Sequence, residues 1–160
     1  MKIGYNIFED TSEVPDNSFG IIILFYVLEH FINPVETLEQ IITKIERSGK
    51  IIIEVPHAND LLISWFDLDS FKNFTFWSEH LILHTRQSLQ IILEKSGFKN
   101  ISIKGVQRYP LANHLYWLSR GKPNGHNRWN HLSSKALDSA YGEMLASLDS
   151  TDTLLAIAER

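Results

Sequence analysis

Residues Phe19 to Pro56 constrain this chain more than any other stretch. Gly20 to Val27 is an unbroken apolar run, Ile21-Ile22-Ile23-Leu24-Phe25-Tyr26-Val27 after the glycine. That is the pattern of a strand buried on both faces, as in a parallel sheet. Asn33 and Pro34 then supply a helix cap and an N1 proline. Val35, Leu38, Ile41, Ile42 and Ile45 share one helical stripe, and Gly49 stands where such a helix would end. Lys50 to Val55 is a second strand. Strand, helix and strand in this order form a right-handed parallel crossover, which commits the chain to an α/β sheet.

The rest of the sequence extends that sheet. Lys2 to Ile7 reads as a short strand, followed by an acidic loop from Glu9 to Ser18. Residues 57–84 read as an irregular connection rich in aromatics, Trp65, Phe66, Phe71, Phe74, Phe76 and Trp77 among them. A connection of that length in a compact domain is usually a lid or a binding wall. Thr85 caps a helix carrying Leu89, Ile92 and Leu93, which Gly97 ends, and Asn100 to Val106 alternates as a strand. A short helix is expected over Pro110 to Arg120, then a Gly/Pro/Asn loop over 121–130. Leu137, Ala140, Tyr141, Met144, Leu145 and Leu148 recur at helical spacing and should pack on the sheet; Thr153 to Ala158 closes it as a strand.

At 160 residues the chain is sized for a single domain, 1–160. Its mean hydropathy of -0.11 and charged content of 21% suit a globular protein. No apolar run reaches membrane-span length, no signal peptide is recognisable and there is no cysteine, so a cytoplasmic protein without a membrane partner is expected. The net charge of -4 hides an asymmetry. Between Lys99 and Lys135 stand seven Lys and Arg residues and no Asp or Glu. Either this is a solvated face opposite acids from elsewhere, or it meets an anionic ligand. A nucleic-acid partner is not expected, since no recognition motif accompanies the basic segment.

Several motifs now combine: Asp10, then Pro15-Asp16-Asn17-Ser18-Phe19, the apolar strand, Val27-Leu28-Glu29-His30, Asn33-Pro34, Ile53-Glu54-Val55-Pro56, Ser78-Glu79-His80-Leu81 and Gly97-Phe98. Together they resemble the class I S-adenosylmethionine-dependent methyltransferases, in particular a bacterial group associated with sugars and surface polysaccharides. The likeness covers residues 8 to 106 well and the remainder more loosely. It departs at Gly20, where the family has aspartate, and at Tyr26, where histidine is common. The family also carries a Gly-x-Gly loop after its first strand and an acid after its second. No two of the eight glycines here are separated by a single residue. The resemblance therefore implies an amino-terminally truncated, partial Rossmann-like sheet, strands 3 to 7 of seven, with helices on both faces and without the first two βα units. Residues 57–84 and 107–134 would be insertions on the acceptor side.

For the site, the resemblance implies S-adenosylmethionine as cofactor and methyl transfer as activity. Asp10 would accept from the adenine amino group with Thr11 beside it, unless it simply caps its loop. Phe25 and Tyr26, and His30 after them, would border the methionine moiety at the carboxyl end of the central strand; as rim aromatics the first two need no ligand. Methyl transfer to oxygen or carbon needs alignment and a base. His80 suits that role by its near-neutral pKa, with Glu79 assisting, although a hydrogen-bonded structural histidine fits the position as well. Arg108, Tyr116, Trp117 and Arg120 could hold an acceptor such as a phosphorylated or nucleotide-linked sugar. His80 and His84 are four apart, but no third ligand stands at useful spacing, so no metal site is expected. Without a strand before it, the run from Ile21 to Val27 would be an open apolar edge, favouring a homo-oligomer through that edge. The competing reading is a non-catalytic remnant serving as an interaction module.

Overall fold

The structure, a computed structural model, describes residues 10–76 and 80–160. The expected strand over Lys2 to Ile7 and the expected role of Glu79 lie outside the described residues. Among the described residues four strands form one sheet, β1 (Phe19–Phe25), β2 (Ile45–Pro56), β3 (Lys99–Val106) and β4 (Thr153–Glu159), in the order β1-β2-β4-β3. β1 and β2 are parallel, with Ile23 opposite Ile52. β4 runs antiparallel to both its neighbours, β2 and β3. Between the strands lie α1 (Pro34–Lys44), α2 (Leu61–Ser64), α3 (Asp69–Thr75), α4 (Arg86–Lys95), α5 (Leu111–Arg120), α6 (Gly125–Arg128) and α7 (Lys135–Ser147). This is the mixed α/β fold, a sheet flanked by helices, that the crossover pattern requires.

One face of the sheet carries the core. Ile51, Ile53 and Val55 of β2 and Leu154, Ala156 and Ala158 of β4 meet Leu38 and Ile41 of α1 and Leu89 and Leu93 of α4, all buried. Alternation puts their neighbours on the other face. There Ile21, Ile23 and Phe25 are more than half exposed, at 58%, 53% and 51%, in register with Lys50, Ile52 and Glu54. The continuous apolar run of β1 was expected to be buried on both faces. Among the described residues it pairs only with β2, and only Ile22 and Leu24 turn toward the core.

Further features differ from the sequence expectation, among them α6 (Gly125–Arg128) inside the expected loop over 121–130. α1 stops at Lys44, not at Gly49, because Ile45 swings into β2 with its side chain fully buried. Gly49 serves another purpose: a Cβ there would lie 2.5 Å from Ile45 Cγ2 and 2.8 Å from the carbonyl oxygen of Gly20. The connection 57–84 is partly helical, with α2 and α3 inside it. α7 forms as expected, yet of its apolar stripe Leu145 alone is buried and Leu137, Met144 and Leu148 stay exposed. α4 begins as the sequence indicates, on a reciprocal capping box: Thr85 Oγ1 accepts from the Ser88 amide (3.1 Å) and Ser88 Oγ accepts from the Thr85 amide (2.9 Å).

Candidate active site

Open α/β sheets bind ligands beyond the carboxyl ends of their parallel strands, and a cavity of about 700 Å³ lies there. Tyr26 after β1 and Pro56 and His57 at the end of β2 form its floor; Asp60, Ile63, Phe71, Phe74 and His80 come from 57–84; Tyr109, Asn113, His114, Trp117 and His126 come from 107–134. Its volume is within the range of about 300–1,000 Å³ usual for small-molecule sites.

The floor is set by an unusual backbone. Tyr26 has φ 56°, a left-handed conformation that bulky residues rarely adopt and that clusters at binding sites. It is held there by its amide, which donates to the Glu54 carbonyl at 2.8 Å, and by its hydroxyl, 3.0 Å from Thr153 Oγ1. The Arg108 guanidinium stacks 4.8 Å above its ring and lies 3.8 Å from Glu54 Oε2. Asp152 fixes the loop that delivers Arg108: its carboxylate accepts from the amides of Arg108 (3.0 Å) and Tyr109 (2.9 Å) and from Gln107 Nε2 (2.9 Å).

The apolar wall is aromatic. Trp117 is 2% exposed and meets the rings of Phe71 and Phe74 at 5.1 and 5.2 Å between centroids. Into this wall project titratable groups in low-dielectric surroundings. Asp60 caps α2, accepting from the Leu62 amide at 2.7 Å, and is 3% exposed. Burial pushes its carboxyl up to about 7, with the nearby Asp152 adding to the effect. His57 Nδ1–H donates to the Thr151 carbonyl at 3.0 Å, and burial lowers its pKa. His114 is lowered by burial to about 4. Asp60, His57 and Asp152 escape sequence reading; the one local hint is that His57 follows directly on the strand-ending proline.

The residues singled out from sequence separate into four groups. Tyr26, His80 and Trp117 line the cavity. His30 stands beside His80, ring centroids 5.1 Å apart. His80 Nδ1 lies 2.8 Å from the Thr75 carbonyl, which can only accept, so Nδ1–H donates to it. Tyr116 and Arg120 lie instead in a second depression of about 650 Å³ with Ser119, Lys122, Arg128 and Trp129. The basic segment thus does not converge on one acceptor site: α5 sends Trp117 into the cavity, and Tyr116 and Arg120 into the depression. Asp10 and Thr11 occupy an exposed turn and are not among the cavity's lining residues. The Asp10 carboxylate accepts from the Ser12 amide at 2.7 Å, which holds its pKa below the usual range.

A family described as a methyltransferase domain matches residues 3–103. No curated protein sequence matches significantly. Among solved structures, an S-adenosylmethionine-dependent methyltransferase from Archaeoglobus fulgidus is similar, with a TM-score of 0.58 at 20% identity, over 94% of this chain and 63% of that one. A Thermotoga maritima methyltransferase described as a possible histamine N-methyltransferase has a TM-score of 0.57 at 10% identity, over 91% and 58%. Haemonchus contortus phosphoethanolamine N-methyltransferase 2, solved with S-adenosylmethionine, has a TM-score of 0.53 at 16% identity, over 94% and 36%. These likenesses establish the fold. The chain spans about three fifths of the first two structures' length, 63% and 58%. Among the described residues no helix is long and apolar enough to cross a membrane.

Proposed function

This chain belongs to the methyltransferase-domain family, and on that premise we propose that it takes part in S-adenosylmethionine-dependent methyl transfer to a small acceptor held in the aromatic cavity. The observation that carries this reading is the position of the cavity, past the carboxyl ends of β1 and β2, with Asp60 inside it. S-adenosylmethionine would supply an electrophilic methyl group on a sulfonium. In this reading Phe25, half exposed at the end of β1, and the backbone at Tyr26 border it, supported by their position after the parallel strand. Asp10, its carboxyl kept ionised by the Ser12 amide, offers an acceptor for an adenine amino group.

The acceptor's proton falls to Asp60. A base works best with a pKa near the working pH, and Asp60, pushed to about 7, is partly ionised there and buried against the acceptor space. Trp117, Phe71 and Phe74 offer ring faces and Asp152 a polar edge, a combination that suits a sugar-like acceptor. An anionic group on that acceptor would have Arg108 nearby, stacked on the Tyr26 ring though not itself lining the cavity. No two glycines of this sequence stand one residue apart, so the isolated chain should bind cofactor weakly. Calorimetric titration with S-adenosylmethionine tests the cofactor reading. Saturable binding that weakens when Phe25 is replaced by alanine supports it; no heat at millimolar cofactor refutes it.

One observation favours a second reading, an interaction module. Ile21, Ile23 and Phe25 leave an apolar stripe on β1, and such edges recruit a further strand. Sedimentation of wild type against Ile23→Lys decides this. A concentration-dependent dimer that the lysine abolishes supports self-association through β1, and a monomer in both cases rules it out.

A further inference from the structure

Glu29 is the one fully buried carboxylate of the described residues, at 0% exposure, and neither of its oxygens has a hydrogen-bond partner. Buried carboxylates are normally paired, hydrogen-bonded or bound to metal, because desolvation without compensation is costly. The chain also goes to structural trouble to hold this residue. Glu29 and His30 sit in a single 3₁₀ turn, Leu28–His30, directly after β1. The Glu29 carbonyl accepts from the amides of both Leu81 (3.0 Å) and Ile82 (3.2 Å), so the segment carrying His80 is stapled against that turn.

The result is a three-donor cluster. One ligand atom each from Glu29, His30 and His80 lies within 4.8 Å of the others, with Glu29 buried and both histidines half buried. His80 donates Nδ1–H to the Thr75 carbonyl, which fixes its ring orientation. A second ring nitrogen fixed by a backbone carbonyl is the usual support for a metal-bound imidazole. Two imidazoles and one carboxylate are a donor set for a borderline divalent ion such as Zn²⁺, at bond lengths of about 2.0–2.2 Å that modest ring rotation would reach. The His80–His84 pair does not enter: residues 80–84 are not helical, and His84 is buried beside His57 through the bridge between those residues.

We propose that Glu29, His30 and His80 bind one divalent transition-metal ion, Zn²⁺ being the first candidate, at the cavity wall to which His80 belongs. The site stands independently of the methyl-transfer reading. It is consistent with assigning the base to Asp60, since a metal would engage His80.

The test is calorimetric titration of the full chain, stripped with a chelator, using ZnCl₂, with Co²⁺ absorption as a second readout. One equivalent of Zn²⁺ and a visible Co²⁺ band characteristic of nitrogen and oxygen ligands are expected. Glu29→Gln and His30→Gln should each weaken binding by at least about tenfold, while His131→Gln, at an exposed position, should not. Circular dichroism checks each variant, and His30→Gln, altering a half-buried side chain, carries the test if Glu29→Gln does not fold. Absence of stoichiometric binding, or binding retained in folded His30→Gln, overturns the proposal. S-adenosylmethionine binding measured on the same samples reports on the methyl-transfer reading separately.

Discussion

His114 Nδ1 lies 2.6 Å from the hydroxyl of Tyr141, joining α5 to α7 behind the cavity. On the opposite side of the ring, Gln107 Nε2 stands 3.5 Å from His114 Nε2, its own N–H groups being directed at the Tyr109 carbonyl (2.8 Å) and the Asp152 carboxylate (2.9 Å). Tyr141→Phe strands the His114 Nδ1 atom in a residue 2% exposed and should cost about 1–3 kcal/mol in urea denaturation. The same burial gives an acid sensitivity. The unfolded chain protonates this histidine near 6.5 and the folded chain only near 4. Stability therefore falls as pH drops through that window, by up to about 3 kcal/mol, and the contribution is complete above it. Between pH 7 and pH 4.5 the His114→Phe variant should lose less stability, or gain more, than wild type, and an identical pH dependence in the two would refute this source.

Asp60 behaves in the opposite sense. Its folded pKa is raised from 3.8 to about 7, so the folded state holds the proton more tightly and loses stability as pH rises between those values. Asp60→Asn keeps the oxygen that caps α2 and removes the titration. It should be more stable than wild type at pH 8, by up to about 4 kcal/mol, and indistinguishable near pH 4. Methyl transfer, measured with labelled cofactor, should fall by about 10²-fold or more. In the overlap with His114 the two effects oppose, so the wild-type pH curve alone separates neither.

Gly49→Ala places a methyl group 2.5 Å from Ile45 Cγ2 and 2.8 Å from the Gly20 carbonyl oxygen. Backbone cannot yield as a side-chain end can, and overpacking of this kind costs about 1–3 kcal/mol. A denaturation midpoint equal to wild type would show that β1 and β2 are farther apart at that end than described.

Trp117→Ala removes the ring against which Phe71 and Phe74 pack. A loss of about 3–5 kcal/mol is expected. Trp117→Phe keeps an aromatic face and should retain most of the stability while changing acceptor affinity, a split that separates packing from binding.

The parts legible in the sequence are those whose signal is local. β1, α1, β2 and α4 follow from period, proline and cap, and the Val27–His30 motif marks the carboxyl end of β1. Ile45 misled because it satisfies both the helical stripe before it and the strand after it; only the fold decides. α7 misled because helical spacing shows a face, not what covers it, and Leu145 alone is covered. The site's polar centre was unreadable for a different reason. His57 meets Thr151 across 94 residues and Gln107 meets Asp152 across 45, so no window of sequence contains the pairs. Likewise Glu29 and His30 join His80 only through the staple at Leu81 and Ile82.

Among the described residues β4 is the last of the four strands, yet it lies between β2 and β3 and is the only strand that joins them. During synthesis from the amino terminus, β2 and β3 must both wait for it with an unmatched flank. Until β4 inserts, the β1–β2 pair and the β3 segment have no shared backbone ladder. The nascent protein is thus two halves joined by the α1–α4 contact, the Glu29 carbonyl staple and the bridge between His57 and His84, and a ribosome stalled before residue 153 would hold a sheet that cannot close.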